Sequence, residues 1–133
     1  MRAFIIPTLA LGLAGLALAA CVPPPSEGAG RADFQALCAS CHGDGGRGDG
    51  PVGQDLSPPP ADLTRLAARN GGVFPTVDVM ARVDGYTHGT GAMPEFGALL
   101  TGETVLFETA PGVMTPTPLR LLDLALYIES LQR

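Results

Sequence analysis

Cys38-Ala39-Ser40-Cys41-His42 is a CxxCH motif, and it decides how the rest of this chain is interpreted. Two cysteines three positions apart lie on one face of a helical turn, where each thiol can add to a haem vinyl group. The histidine that follows them can then ligate the haem iron from one side. The motif therefore predicts one covalently bound haem c, attached through Cys38 and Cys41 and ligated by His42.

Two other interpretations of the paired cysteines are a thioredoxin-like redox motif and half of a zinc site. A redox CxxC is expected beside a βαβ unit, and the surrounding pattern predicts none. A structural zinc ion takes four ligands, which a chain with three cysteines and two histidines cannot easily supply. The haem interpretation is therefore preferred.

A second iron ligand, opposite His42, must come from a methionine or histidine further along the chain. The candidates are Met80, Met93, Met114 and His88. Met93 is favoured because it lies in Gly91-Ala92-Met93-Pro94, where small residues let the backbone approach a ring and the proline stiffens the loop. Met80 falls within a predicted helix and Met114 in a loop, where packing roles are expected, but both remain alternatives together with His88.

The first twenty residues predict export. Residues 1–20 combine an early arginine with an apolar stretch too short to span a bilayer. They end in Leu18-Ala19-Ala20-Cys21, which resembles a lipoprotein processing site with Cys21 as the lipid anchor. The alternative is an ordinary secretory signal, cleaved after Ala19, that would leave a soluble periplasmic protein. The predicted organisation is a signal peptide at 1–20, a proline-rich tether at 21–30 and one domain at 31–133, held on the periplasmic side of a bacterial membrane.

Composition limits the remaining possibilities. The formal net charge is −5 and every basic residue is arginine, so no basic patch for nucleic acid is expected. Aromatic residues make up only 5% of the chain and tryptophan is absent. A small domain with so few large side chains benefits from an internal prosthetic group that supplies apolar area.

Hydrophobic periodicity predicts short helices joined by loops rich in glycine and proline. Predicted helices cover residues 31–39, 61–70, 73–83 and 117–131. No strand pair is predicted, although Val105 to Thr109 could form a brief extended segment. The expected fold class is therefore all-α.

With these elements in order, the chain from Gly30 onward resembles the class I bacterial cytochromes c, in which short helices wrap around one covalently attached haem. The resemblance rests on the haem motif, the Met93 loop, and four helix positions that pack together in that family. Those positions are Gly30, Phe34, Leu124 and Tyr127. It also implies that the carbonyl of Pro51 accepts a hydrogen bond from His42. The segment from Thr101 to Thr115 is longer than in a minimal member of the family.

The resemblance implies an electron carrier rather than an enzyme, since His42 and Met93 would occupy both axial positions of the iron. The expected partners are respiratory complexes or dehydrogenases. The protein itself is expected to be a monomer or a subunit of such a complex. A haem enzyme or gas sensor with a labile sixth ligand is the remaining alternative. Candidates for holding the haem propionates are Arg47, Arg65, Arg69 and Tyr86.

Overall fold

The computed structural model describes residues 23–89 and 91–133, and the proposed lipid anchor Cys21 and the predicted signal peptide lie outside the described residues. Five α-helices and one β-hairpin follow in the order α1 to α4, β1, β2, α5. The helices are α1 (Glu27–Leu37), α2 (Ala39–His42), α3 (Leu66–Arg69), α4 (Thr76–Asp84) and α5 (Leu119–Ser130). Single 3-10 turns occupy Gly53–Asp55, Leu63–Arg65 and Gly97–Leu99. In this part of the chain, none of the helices is both long enough and apolar enough to cross a membrane.

The crossing of α1 and α5 forms the centre of the core. Phe34 on α1 is fully buried, and its ring centroid lies 5.2 Å from that of Tyr127 on α5. A side chain at Gly30 would overlap the backbone carbonyl of Asp123, so only glycine lets the two helices approach this closely. Leu124 fills the same contact with 1% of its surface exposed. The predicted packing of these positions is confirmed.

Helix α1 begins four residues earlier than predicted. Ser26 caps it, because the Ser26 hydroxyl accepts a hydrogen bond from the backbone N–H of Ala29, and Glu27 places a negative charge in the first turn. The N–H of Ser26 in turn donates to the Asp123 carboxylate at 2.6 Å. The last residues of the predicted 21–30 tether are therefore helical and attached to α5.

The two central helices are shorter than their hydrophobic patterns predicted. The 61–70 segment forms the 3-10 turn at 63–65 and then a single α-turn, with the Asp62 carboxylate accepting from the Thr64 N–H. Helix α4 begins at Thr76, directly after Pro75, because the residues before a proline are disfavoured in helices. The predicted start at residue 73 is therefore wrong by three positions.

The domain is mostly helical, as predicted, and the hairpin corrects only the expectation that no strands pair. Strand β1 (Thr104–Ala110) pairs antiparallel with β2 (Val113–Pro118). Val105 and Phe107 alternate with exposed neighbours and pack against the helical core. Prolines in β2 obscured the pattern, yet a strand at a sheet edge tolerates them. The hairpin fills the long 101–115 segment, and α5 begins only at Leu119.

Candidate functional site

The CxxCH segment forms the corner between α1 and α2. Cys38 ends α1, with its N–H donating to the Phe34 carbonyl at 2.9 Å, and it is also the N-cap of the single-turn helix α2. Cys41 and His42 complete that turn, and the His42 N–H donates to the Cys38 carbonyl at 2.9 Å. Cys38, Cys41 and His42 all line one cavity of about 460 Å³. Neither cysteine forms a disulfide with another described residue.

His42 is oriented by the backbone. Its Nδ1 lies 3.0 Å from the carbonyl oxygen of Ala61, and because a carbonyl can only accept, Nδ1 must carry the proton. The expected acceptor, the carbonyl of Pro51, is therefore wrong. Burial lowers the pKa of His42 below its usual 6.5, although the hydrogen bond that Nδ1 donates to the Ala61 carbonyl opposes this shift. The imidazole is thus neutral at pH 7, and Nε2 is the nitrogen with a lone pair available to a metal.

Met93 lies in the wall of the same cavity. Its segment follows α4, and the side chain is partly buried against the hydrophobic core. A second cavity of about 200 Å³ is also lined by Cys38, His42 and Met93, so the two spaces adjoin.

The other candidate ligands lie elsewhere. Met80 is buried in the core on α4, with 5% of its surface exposed. Met114 is on β2 and is 54% exposed, and His88 is exposed and forms an ion pair with Glu95 at 3.2 Å. None of these three lines either cavity. Of the four candidates, the fold therefore brings only Met93 together with the CxxCH motif.

A family model described as "Cytochrome C oxidase, cbb3-type, subunit III" matches residues 25–106. This stretch includes the CxxCH motif and the Met93 loop and covers more than half of the chain. The chain belongs to this cytochrome c family. It is a class I cytochrome c that binds haem c covalently and serves electron transport. Searches of curated proteins and of solved structures gave no significant match.

The cavity of this cytochrome c fits a haem. Its walls are mainly apolar, as expected for a site that encloses a porphyrin. The apolar lining comprises Leu37, Leu56, Pro58, Pro59, Pro60, Ala61, Ala92, Pro94 and Phe96. Six further lining residues carry polar or sulfur-containing side chains: Cys38, Ser40, Cys41, His42, Arg82 and Met93. Two thiols, one imidazole and one thioether among them are the donors that c-type haem requires. Burial raises the pKa of the Cys38 thiol to about 11, with smaller contributions from Asp33 and Cys41, so this thiol is protonated at neutral pH.

Two groups at this site of the cytochrome, the Ala61 carbonyl and Arg82, were not predicted from the sequence. The Ala61 carbonyl could not be recognised, because a backbone acceptor nineteen residues from His42 has no signature in side chains. Arg82 on α4 lines both cavities, whereas none of the four residues proposed for the propionates does. No sequence signal marked Arg82, because only the tertiary fold directs its face of α4 to the cavity.

Proposed function

We propose that this cytochrome c is a membrane-tethered, single-haem electron carrier of the bacterial periplasm. In this proposal Cys38 and Cys41 hold the haem through thioethers, and His42 and Met93 are the axial ligands of its iron. The observation that carries the proposal is that the three CxxCH side chains and Met93, which is about fifty residues further along the chain, line one mainly apolar cavity. Domains of this kind usually lie outside the cytoplasm, in agreement with the predicted export signal.

The protein residues have distinct tasks in this proposal. The Ala61 carbonyl holds the proton of His42 on Nδ1 and thereby keeps Nε2 directed to the iron. Met93 offers a soft sulfur ligand from a segment stiffened by Pro94. When bound, the haem supplies a one-electron couple between ferric and ferrous iron. If His42 and Met93 both ligate the iron, they would leave no position on it for a small substrate, and electron transfer would be the activity that this site supports.

The axial role of Met93 is tested by Met93→Ala, with Met114→Ala as the matched control at an exposed methionine. We expect Met93→Ala to lose the sulfur-to-iron charge-transfer band of the oxidised protein, to lower the midpoint potential, and to let the reduced protein bind carbon monoxide. The control should keep the wild-type spectrum. Survival of the band in Met93→Ala would contradict the assignment. Rapid carbon monoxide binding by the wild type would instead favour a haem enzyme or gas sensor.

The tether is a separate part of the proposal and rests on the sequence of residues 18–21. A lipid on Cys21 and a short proline-rich linker would keep the domain close to membrane partners and raise its effective concentration there. Cys21→Ser should move the haem protein from the membrane fraction to the soluble periplasmic fraction, while Val22→Ala should leave it on the membrane. Equal partitioning of Cys21→Ser and wild type into detergent would remove the lipid anchor from the proposal.

A second candidate function is a fixed haem subunit of an oxidase or dehydrogenase complex. The specific observation in its favour is the description of the matching family model, which names a subunit of a cytochrome oxidase. The two functions share their chemistry and differ in assembly. Purification of the full chain from membranes in mild detergent distinguishes them, because a fixed subunit would elute at a constant ratio with a large partner and a carrier would elute alone.

A further inference from the structure

Arg82 occupies an unusual position for a charged side chain. It lies on α4, is partly buried, and lines both the larger and the smaller cavity. Asp78, one turn earlier on the same helix, is the only other charged side chain among the lining residues, since His42 is neutral at pH 7. A guanidinium at the wall of a mainly apolar space needs a compensating partner, because such surroundings disfavour a single charge.

The described residues do not supply that partner. The ion pairs found between them join His88 to Glu95 and Arg120 to Asp33, so no carboxylate oxygen in this part of the chain lies within 4.0 Å of the Arg82 guanidinium. Its one hydrogen bond runs from Nη1 to the carbonyl of Thr87 at 3.3 Å. A guanidinium has five N–H donors, and most of those of Arg82 are thus left for another acceptor.

Two contacts hold the Arg82 guanidinium at the cavity wall. The Thr87 carbonyl fixes one side of it. Gly89 packs against it so closely that a Cβ at this position would lie 3.2 Å from Nη2 and 3.3 Å from Nε. Gly89 also lines the larger cavity. The side chain is therefore placed between the loop after α4 and the space that the haem takes.

We propose that Arg82 binds a propionate carboxylate of the haem, an assignment that rests on the proposed His42 and Met93 ligation. A guanidinium fork matches a carboxylate in shape and charge and forms two parallel hydrogen bonds with it. Compensating the negative charge of a propionate near the iron favours the ferrous state, which has one positive charge fewer than the ferric state. Arg82 is thus a positioning residue that also raises the midpoint potential.

The test compares Arg82→Gln, Arg82→Lys and the control Arg65→Gln, which removes the same charge from an exposed residue that lines neither cavity. The readouts are the midpoint potential from a redox titration of the holoprotein, the sulfur-to-iron charge-transfer band, and the haem content. We expect Arg82→Gln to lower the potential clearly, Arg82→Lys to restore part of the loss because the charge remains, and Arg65→Gln to change it least.

The outcomes separate this proposal from the proposed function. If Arg82→Gln keeps the band and the haem content but has the wild-type potential, the propionate role is wrong while the axial ligation stands. Equal potential shifts for Arg82→Gln and Arg65→Gln would likewise overturn it, because they would reveal only a general charge effect. A wild-type protein without the band would instead remove the ligation on which the assignment rests. If Arg82→Gln does not accumulate as folded protein, Arg82→Met takes its place in the test, because methionine removes the charge and keeps an apolar stem of similar length.

Discussion

The crossing of α1 and α5 and the haem cavity lie side by side, yet they are completed in different ways. At the crossing, the protein supplies both surfaces, with Phe34 fully buried and Leu124 1% exposed. Cys38 lies one turn after Phe34, at the end of α1, and it belongs both to this core and to the wall of a cavity of about 460 Å³. There the protein provides only the cavity walls, and the haem is the group that occupies the space between them.

This difference explains how a chain with 5% aromatic residues forms a stable domain. Packing of side chains alone gives a core of limited size, and small domains usually need an additional staple. Gly30 brings two helices into backbone contact, and the haem supplies apolar area on the other side of Cys38. Substitutions in the two regions should therefore destabilise the domain for different reasons. Those at the cavity remove the haem, and those at the crossing disturb the steric fit of α1 against α5.

The largest effect is expected from Cys38→Ser combined with Cys41→Ser. Without thioether bonds the haem is no longer held permanently, and the cavity walls lose their filling. Since small domains are stable by only about 5–15 kcal/mol, we expect the double variant to be largely unfolded. Circular dichroism and haem staining of a denaturing gel measure the two losses, and Ala36→Ser, at an exposed position of α1, is the control. A folded, haem-free double variant would show that the crossing suffices for the fold.

Gly30→Ala tests the crossing itself. The added methyl group would overlap the Asp123 carbonyl, so α1 and α5 must separate, and we expect a loss of about 3 kcal/mol in the free energy of unfolding. Gly28→Ala is a matched control on the same helix, because a Cβ there meets only the Ser26 hydroxyl at an ordinary 3.6 Å. The control should gain about 0.5 kcal/mol from its better helix propensity. Denaturant titrations of the holoproteins measure both, and similar stabilities would refute the steric argument.

Asp123→Ala removes the hydrogen bond that joins Ser26, at the start of α1, to helix α5. Asp123 is 4% exposed and accepts the N–H of Ser26 at 2.6 Å, so its removal leaves that donor without its acceptor. The expected cost is about 2 kcal/mol. Hydrogen exchange should show faster opening of the first turn of α1, with little change at the cavity. Glu129→Ala on the exposed side of α5 should alter stability by less than about 0.5 kcal/mol, and a larger loss there than at Asp123 would contradict the assignment.

The parts that the sequence predicted correctly are those with short-range signatures. CxxCH lies in five consecutive residues, and Gly30 with Phe34 follows helical spacing, so both could be recognised before the fold was known. Met93 was predicted as an iron ligand from its small neighbours and its proline; it lines the same cavity as the motif, and its ligation stays a prediction. In each case the residue types and their spacing within a short segment indicate the role, so no contact with a distant segment has to be known.

The parts that were missed depend on contacts between distant segments. The acceptor for His42 is the Ala61 backbone rather than that of Pro51, because the fold brings Ala61 and not Pro51 to the cavity that His42 lines. The hairpin at 104–118 was hidden by its prolines, and its pairing follows from the packing of Phe107 against the core. Arg82 resembled an ordinary surface charge, since only the tertiary fold directs that face of α4 to the cavity.

The smallest effect concerns the rim of the cavity and appears only in acid. The Asp62 carboxylate accepts from the Thr64 N–H at 2.9 Å and from its hydroxyl at 2.6 Å, in the turn next to the Ala61 carbonyl that holds His42. The Thr64 hydroxyl lowers the pKa of Asp62 below its usual 3.8. A carboxyl group with a lowered pKa contributes stability above its unfolded value, and this contribution disappears as the pH falls through the lowered pKa.

Asp62→Asn should therefore flatten the fall in stability below about pH 4, while its stability at neutral pH drops slightly. Denaturant unfolding between about pH 2 and pH 7 measures the slope, with Asp55→Asn as a control at an exposed carboxylate outside this turn. A profile parallel to that of the wild type would show that the Asp62 turn does not contribute to acid stability. We also expect Asp62→Asn to keep the sulfur-to-iron charge-transfer band at neutral pH. That result would show that the hydrogen bond from His42 to the Ala61 carbonyl does not depend on the negative charge of Asp62.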